Sequence, residues 1–270
     1  MSNRTPSRLH NLTGMSGRQA LRLPNYLIDL TAFIIRALHD WRQASKLLNR
    51  ATYRSLVGQL IFGGIDALPV ITLLSLATGL GIVSQLIITV QVFGEAKDVI
   101  TILTQVVALE LGPLLTAIVL IGRSGSAIAV DLGNMRLNRE IEGLELLGIN
   151  VNHFFVTPRL LGTTISQMVL AVYFSFITVV SGVMAAGLFV NSGYFTYLTD
   201  IPLAFAPYDL ITFLLKNLVF GLLIGAVACF HGLRVKASVT EVPQQSQRAI
   251  VNSLSLIFIL NALIALAGNG

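Results

Sequence analysis

Glu110 and Arg123 stand inside LELGPLLTAIVLIGRSGSA, residues 109–127, a stretch otherwise apolar enough to cross a membrane. A charge in the middle of a span costs about 3 kcal/mol on insertion scales, so it has to face protein or water. The two residues are thirteen positions apart. On one helix that is about 20 Å, too far for them to pair with each other. Two readings of Glu110 compete. It contacts a polar substrate or a coupling ion, or it seals a helix interface by bonding to a neighbour's hydroxyl or backbone. Arg123 reads most simply as an anchor where the span leaves the bilayer. Lys216 lies in another apolar run and either meets cargo or snorkels toward a headgroup layer.

Other chemistry is missing. No G-x-x-x-x-G-K-[ST] phosphate loop occurs, so the chain is not expected to bind ATP by that route. The four histidines, His10, His39, His153 and His231, are scattered without metal-ligand spacing. GRSGS only resembles a nucleophile elbow, and no serine–histidine–acid set is legible. No metal, no cofactor and no enzymatic activity of the chain alone are expected.

The elements that position these residues follow from composition. Of 270 residues 54% are hydrophobic and 11% charged, with a mean hydropathy of +0.77. A soluble domain carries about 25% charged residues, so an all-α integral membrane protein is expected. The net charge of +5 does not signal nucleic acid, because the basic residues sit in loops between apolar runs. The single cysteine, Cys229, leaves the redox compartment open. Residues 1–24 form a basic tail without the apolar core of a signal peptide, and no cleavage is expected.

Residues 25–50 place Leu27, Leu30, Ile34, Leu38, Trp41 and Leu48 close to helical spacing, with Arg36, Asp40, Arg42, Lys46 and Arg50 between them. That pattern predicts an amphipathic helix in the membrane interface, the alternative being a helix packed on the protein's own body. Residues 51–270 are read as a five-span membrane unit with spans near 56–80 (bent at Gly63-Gly64 and Pro69), 99–122, 160–189, 208–230 and 249–267. Of eighteen Lys and Arg, nine precede residue 55, four lie in 123–159 and three in 231–248. Five spans put these sixteen on one side, which predicts the N-terminus inside and the C-terminus outside. A six-span alternative separates them.

The loop NMRLNREIEGLELLG, residues 134–148, predicts a short amphipathic helix at about 134–147 between spans 2 and 3. Arg136–Glu140 and Arg139–Glu142 have helical spacing, Glu145 adds a third acid, Asn134 or Asn138 can cap it and Gly148 can end it. It is a solvated connector or a docking element for a soluble partner. Small residues in GRSGSA (Gly122, Gly125, Ser126) and in GLLIG (Gly221 to Gly225) permit close helix packing. Gly112-Pro113 loosens the second span.

The stretch ELGPLLTAIVLIGRSGSAIAVDLGNMRLNREIEGLELLGIN (110–150), then VTPRLLG (156–162), resembles the signature region of MlaE/YrbE-type permeases, the membrane subunits of MCE-associated ABC lipid transporters. GLGIVSQ (79–85) and LLKNLVFG (214–221) resemble further family positions. The resemblance covers about residues 25–268. It implies a homodimer in the bacterial inner membrane, five spans per chain, and an interfacial N-terminal helix. The helix 134–147 would be the coupling helix, seated in a cytoplasmic ABC ATPase that binds the ATP. A periplasmic MCE-domain protein and, often, a STAS-domain protein would complete the assembly. Its cargo would be phospholipid, met in a cavity at the dimer axis by Gln85, Glu110 and Lys216. Leu109 stands where the family often has arginine, so a charged pair beside the lipid pocket is expected to be lost. TEVPQQS (240–246) replaces a glycine-rich stretch, and Pro243 predicts a stiffer loop before the last span. An ion-coupled secondary transporter using Glu110 and a non-transporting scaffold are the rival classes.

Overall fold

The computed structural model describes residues 22–44, 50–85, 103–189, 207–236 and 238–268. The tail before residue 22, residues 45–49 of the amphipathic stretch, the apolar segment after residue 85 with Lys97, and the start of the second span lie outside them. The described residues form helices joined by turns, and five helices are long and apolar enough to cross a membrane: Tyr53–Ile82, Leu109–Leu137, Asn152–Ala185, Tyr208–Gly232 and Glu241–Leu266.

In chain order, α1 is Arg22–Ala44, α2 Arg50–Gly63 and α3 Leu68–Thr78. A 3-10 turn at Ile65–Ala67 separates α2 from α3 and makes the bend of the first span, and Gly79–Val83 is a π turn. Pro69 opens α3 in its first turn, where its missing N–H costs nothing. The second span runs from a π segment, Leu103–Leu111, through α4 (Gly112–Leu120) and a π turn (Ile121–Gly125) into α5 (Ser126–Leu137). A short α6 (Glu140–Leu146) follows, then a π turn (Asn152–Val156) that leads into α7 (Thr157–Phe189), α8 (Pro207–Gly232) and α9 (Glu241–Gly268). α7 is the centre of the bundle and packs on spans 1, 2 and 4, and α9 packs on α8 and α5.

Several helices outrun the expected spans. The second continues from residue 122 to Leu137, so residues 123–137 are helix and not the start of a loop. α7 begins at Thr157 and α9 at Glu241. Hydropathy reports where the bilayer's thickness ends, whereas backbone hydrogen bonding carries a helix past that point wherever it has neighbours. Pro243 therefore lies in the first turn of α9, not in a stiff loop.

The expected coupling helix at 134–147 is divided. α5 ends at Leu137, and Arg139 takes a left-handed φ of 59°, which starts α6. The break removes the helical register assumed for Arg136–Glu140 and Arg139–Glu142, and among the described residues neither arginine has an ion pair. No side chain caps α6, and Asn138 instead donates from Nδ2 to Glu140 Oε1 at 3.3 Å. Gly148 closes α6 at φ 77°, a conformation that glycine adopts without a Cβ penalty.

Among the described residues, two apolar clusters build the interior. One gathers Ile71, Leu120, Leu170, Phe174, Phe220 and Ile257 from all five spans. The other lies at the basic end of the bundle and joins Leu132, Val156, Leu160, Val227 and Phe230 to Leu30 and Ala37 of α1. α1 thus packs on the protein's own body through Tyr26, Leu30, Phe33, Ile34 and Ala37. Leu27, assigned to the apolar stripe above, faces outward with Ile28 and Ile35.

Candidate functional site

Glu110, Lys216 and Asn261 come from spans 2, 4 and 5 and meet at one point away from the basic end. Lys216 Nζ is 2.8 Å from Glu110 Oε1 and donates to the Leu109 carbonyl at 2.9 Å. The backbone explains the second bond. Pro113 has no N–H to give to the carbonyl four residues earlier, which is that of Leu109, and Lys216 donates there instead. Asn261 Nδ2 donates to Glu110 Oε2 at 2.8 Å, so both carboxylate oxygens are held.

This corrects two expectations. Lys216 does not snorkel outward; its side chain is 2% exposed and turned toward Glu110. The charged pair expected to be lost with Leu109 is present, with the cation supplied by span 4. Gln85 is exposed just past the described first span, whose neighbouring π turn packs on α7. Asn261 escaped the sequence reading because an asparagine in an apolar run has no period to betray it.

A second polar knot lies behind the pair. Gln167 Nε2 is 3.0 Å from the Pro113 carbonyl, Thr116 Oγ1 and Asn217 Oδ1. Gln167 and Asn217 are fully buried, and so is Pro113. Such a knot fixes how spans 2, 3 and 4 sit together, because each member pairs better inside the protein than in hydrocarbon. Gly112 has the same effect sterically: a Cβ there would collide with Ser175 Oγ of α7.

Arg123 has a partner that the sequence reading did not find. Its guanidinium is 3.4 Å from the Asp66 carboxylate, bonds to the Asp66 carbonyl, and lies over the Phe62 ring at 5.2 Å. The pair joins the bend of span 1 to the π turn of span 2. Gly125 contacts Ile224 of α8, and the Ser126 carbonyl accepts from Ser246 Oγ at 3.3 Å. Gly122 is exposed with nothing within 4 Å of where a Cβ would stand, so the close approach at GRSGSA runs through Gly125 and not Gly122.

At the basic end, Arg139, Glu140, Glu142 and Glu145 are exposed and Arg136 is half-buried. Leu146 and Leu147 keep 90% and 76% of their surface, an apolar tip on an otherwise charged helix. Beside it opens a cleft of about 560 Å³ lined by Arg136, Ile141, Glu145, Ile149 and Leu233, among others. Next to this face His231 ties three elements. Its Nδ1 is 2.9 Å from Gln245 Oε1, which can only accept, so Nδ1 carries the proton. Its Nε2 then accepts from Asn252 Nδ2 at 3.0 Å and from Tyr26 Oη at 3.3 Å. Burial pushes the Tyr26 phenol up, which keeps its proton available for that bond. Arg234 pairs with Asp29 of α1 at 2.7 Å.

Comparison with known proteins adds the following. A family model described as Permease MlaE matches residues 56–267. A probable ABC transporter permease protein of Rickettsia bellii is 27% identical over 257 residues, covering 95% of this chain and 97% of the relative. The intermembrane phospholipid transport system permease protein MlaE of Haemophilus influenzae is 28% identical over 229 residues, covering 81% and 86%. Protein TRIGALACTOSYLDIACYLGLYCEROL 1, chloroplastic, of Arabidopsis thaliana is 25% identical over 219 residues, covering 81% and 63%.

Proposed function

Because the chain belongs to the MlaE permease family, we propose that it moves phospholipid between the bacterial inner membrane and an outer layer, as a homodimer driven by a separate ATPase. The chain is a multi-pass membrane protein and an ABC-type permease. The observation that carries the proposal is the Glu110–Lys216–Asn261 cluster, an ion pair held within apolar spans with the Glu110 side chain still partly exposed. Acyl chains need only an apolar lining, whereas a headgroup needs a few fixed polar atoms, and this cluster supplies them. Gln85 would serve as a further contact along the path. The name of the Haemophilus relative supports the cargo.

In this reading the N-terminus is inside and α6 faces the cytosol, where Leu146 and Leu147 enter an apolar groove of the ATPase and Arg136, Arg139, Glu140, Glu142 and Glu145 form the polar rim. A buried apolar anchor within a charged rim is how interfaces concentrate their energy. ATP-driven closure of the partner would then move α6 and, through α5, the second span. A periplasmic MCE-domain protein, with or without a STAS-domain protein, completes the assembly. The rival in which Glu110 carries a transported proton fits less well, because the carboxylate already has its counter-charge in Lys216 and a donor in Asn261.

Native mass spectrometry of the gently extracted complex tests this. Two permease chains, an ATP-hydrolysing subunit and bound lipid are expected together; a chain recovered without either companion overturns the proposal. The double variant L146D/L147D is expected to lose the ATPase during purification while the permease stays monodisperse. Undiminished co-purification would remove α6 from the interface.

A further inference from the structure

The charged pair in the spans is not presented evenly. Lys216 keeps 2% of its side-chain surface and Glu110 keeps 35%. The lysine's bonds point inward, to Glu110 Oε1 and to the Leu109 carbonyl. A molecule that approaches the pair therefore meets the Glu110 side chain, with its counter-charge sealed behind it. Asn261 extends the same character. Its Nδ2 is committed to Glu110 Oε2, while its Oδ1 is shielded from solvent and has no hydrogen-bond partner. An unmet acceptor in a dry site is unfavourable, and a ligand that brings a donor recovers that loss. Asn261 as a whole is only half-buried, so its amide stands at the edge of the site, and a ligand reaches Oδ1 by a shift of that side chain. The bonds made by Lys216 and by Asn261 Nδ2 all run inward to the cluster, and the charge nearest the open side is the carboxylate of Glu110.

We propose that Glu110 and the unmet Asn261 Oδ1 form an acceptor-lined rim that selects a lipid headgroup with N–H donors and a positive charge, a primary ammonium, over one that is trimethylated or anionic. This rests on the lipid-permease reading above. An ammonium offers three donors, enough for one carboxylate oxygen edge and one amide oxygen together. A trimethylated nitrogen keeps the charge and loses every donor, so it can answer Glu110 only loosely and leaves Asn261 Oδ1 unmet. An anionic glycerol headgroup brings hydroxyl donors but sets its charge against the carboxylate in a low-dielectric setting. Asn261 thus governs discrimination by donors, and Glu110 discrimination by charge.

The test uses the full chain in vesicles of equal parts phosphatidylethanolamine, phosphatidylcholine and phosphatidylglycerol with matched acyl chains. The protein is extracted mildly and its bound lipids are counted by native mass spectrometry. The ethanolamine lipid is expected to exceed each of the others by about tenfold, the scale of one hydrogen bond to a charged group. In Asn261→Leu, which keeps the volume and removes the acceptor, the excess over the choline lipid is expected to shrink to about twofold or less, the excess over the glycerol lipid less so. The paired neutral variant E110Q/K216M, which leaves no charge unpartnered, is expected to lose the excess over the glycerol lipid. Bound lipid in vesicle proportions, or enrichment of the anionic lipid, overturns this inference alone. Protein with no bound lipid of any class overturns the lipid-permease reading with it.

Discussion

Lys216→Met is expected to cost the folded protein about 3–5 kcal/mol, the usual cost of leaving one member of a buried ion pair without the other. The lysine is 2% exposed, contacts a carboxylate at 2.8 Å and also satisfies the Leu109 carbonyl. Methionine fills most of its volume, so the loss is electrostatic and not a cavity. The expected readout is a large fall in melting temperature in detergent and in monodisperse yield. E110Q/K216M is expected to regain most of the stability, because a neutral amide can still accept from Asn261 and no charge is stranded. Lipid transport is not expected to return with it, since the site's charge is gone. A Lys216→Met protein that melts like the wild type would show that the pair does not hold spans 2 and 4 together.

The second large effect is steric. In Gly221→Val the new Cβ would lie 2.5 Å from Thr164 Cα, 3.0 Å from the Thr163 carbonyl oxygen and 3.1 Å from Gln167 Cβ. The first two are backbone atoms of α7 and cannot step aside, so α7 and α8 must part. Parting them stretches the Thr163 Oγ1 bond to the Gly221 carbonyl, now 3.1 Å, and the 3.0 Å Gln167–Asn217 bond. Overpacking a fitted core costs about 1–3 kcal/mol before such bonds are counted. Within a membrane this contact is van der Waals packing with no hydrophobic force to restore it, which makes close approach the main asset of the interface. Gly58→Val is the control, because nothing lies within 4 Å of its Cβ position. Thermal melting of both in the same detergent decides the matter: a steep loss for Gly221→Val against little change for Gly58→Val is expected, and equal losses would implicate helix propensity instead.

The spans were legible because each is an apolar run about as long as a bilayer is thick, and that signal is local. Their true ends were not. Residues 126–137 are too polar to look like a span, yet they stay helical because Ile128, Ala129 and Leu132 pack into the cluster at the basic end. The pairing of charges was half legible. Glu110 and Lys216 were each visible as a charge in an apolar run, and Arg123 as a charge at the end of one, but nothing singled out Asp66 as its partner. Distance along one helix correctly excluded Glu110 with Arg123, but nothing in a single sequence says which of the remaining partners are adjacent. The structure joins residues 106 positions apart in one pair and 57 in the other. The divided helix at Asn138-Arg139 was hidden for a different reason: arginine has no evident preference for a left-handed φ, so the break leaves no mark in composition.

α1 is fastened at two places, by Tyr26 at His231 and by Asp29 at Arg234, with the Phe230 ring edge-on to both Tyr26 and Phe33. The same imidazole also accepts from Asn252 of α9, the helix that carries Asn261 nine residues further on. The outer surface of α1 bears Leu27, Ile28 and Ile35, the side that would rest on acyl chains. The N-terminal helix and the last span therefore share a hinge point, and a shift of either one strains the hydrogen bonds of the other at the same ring.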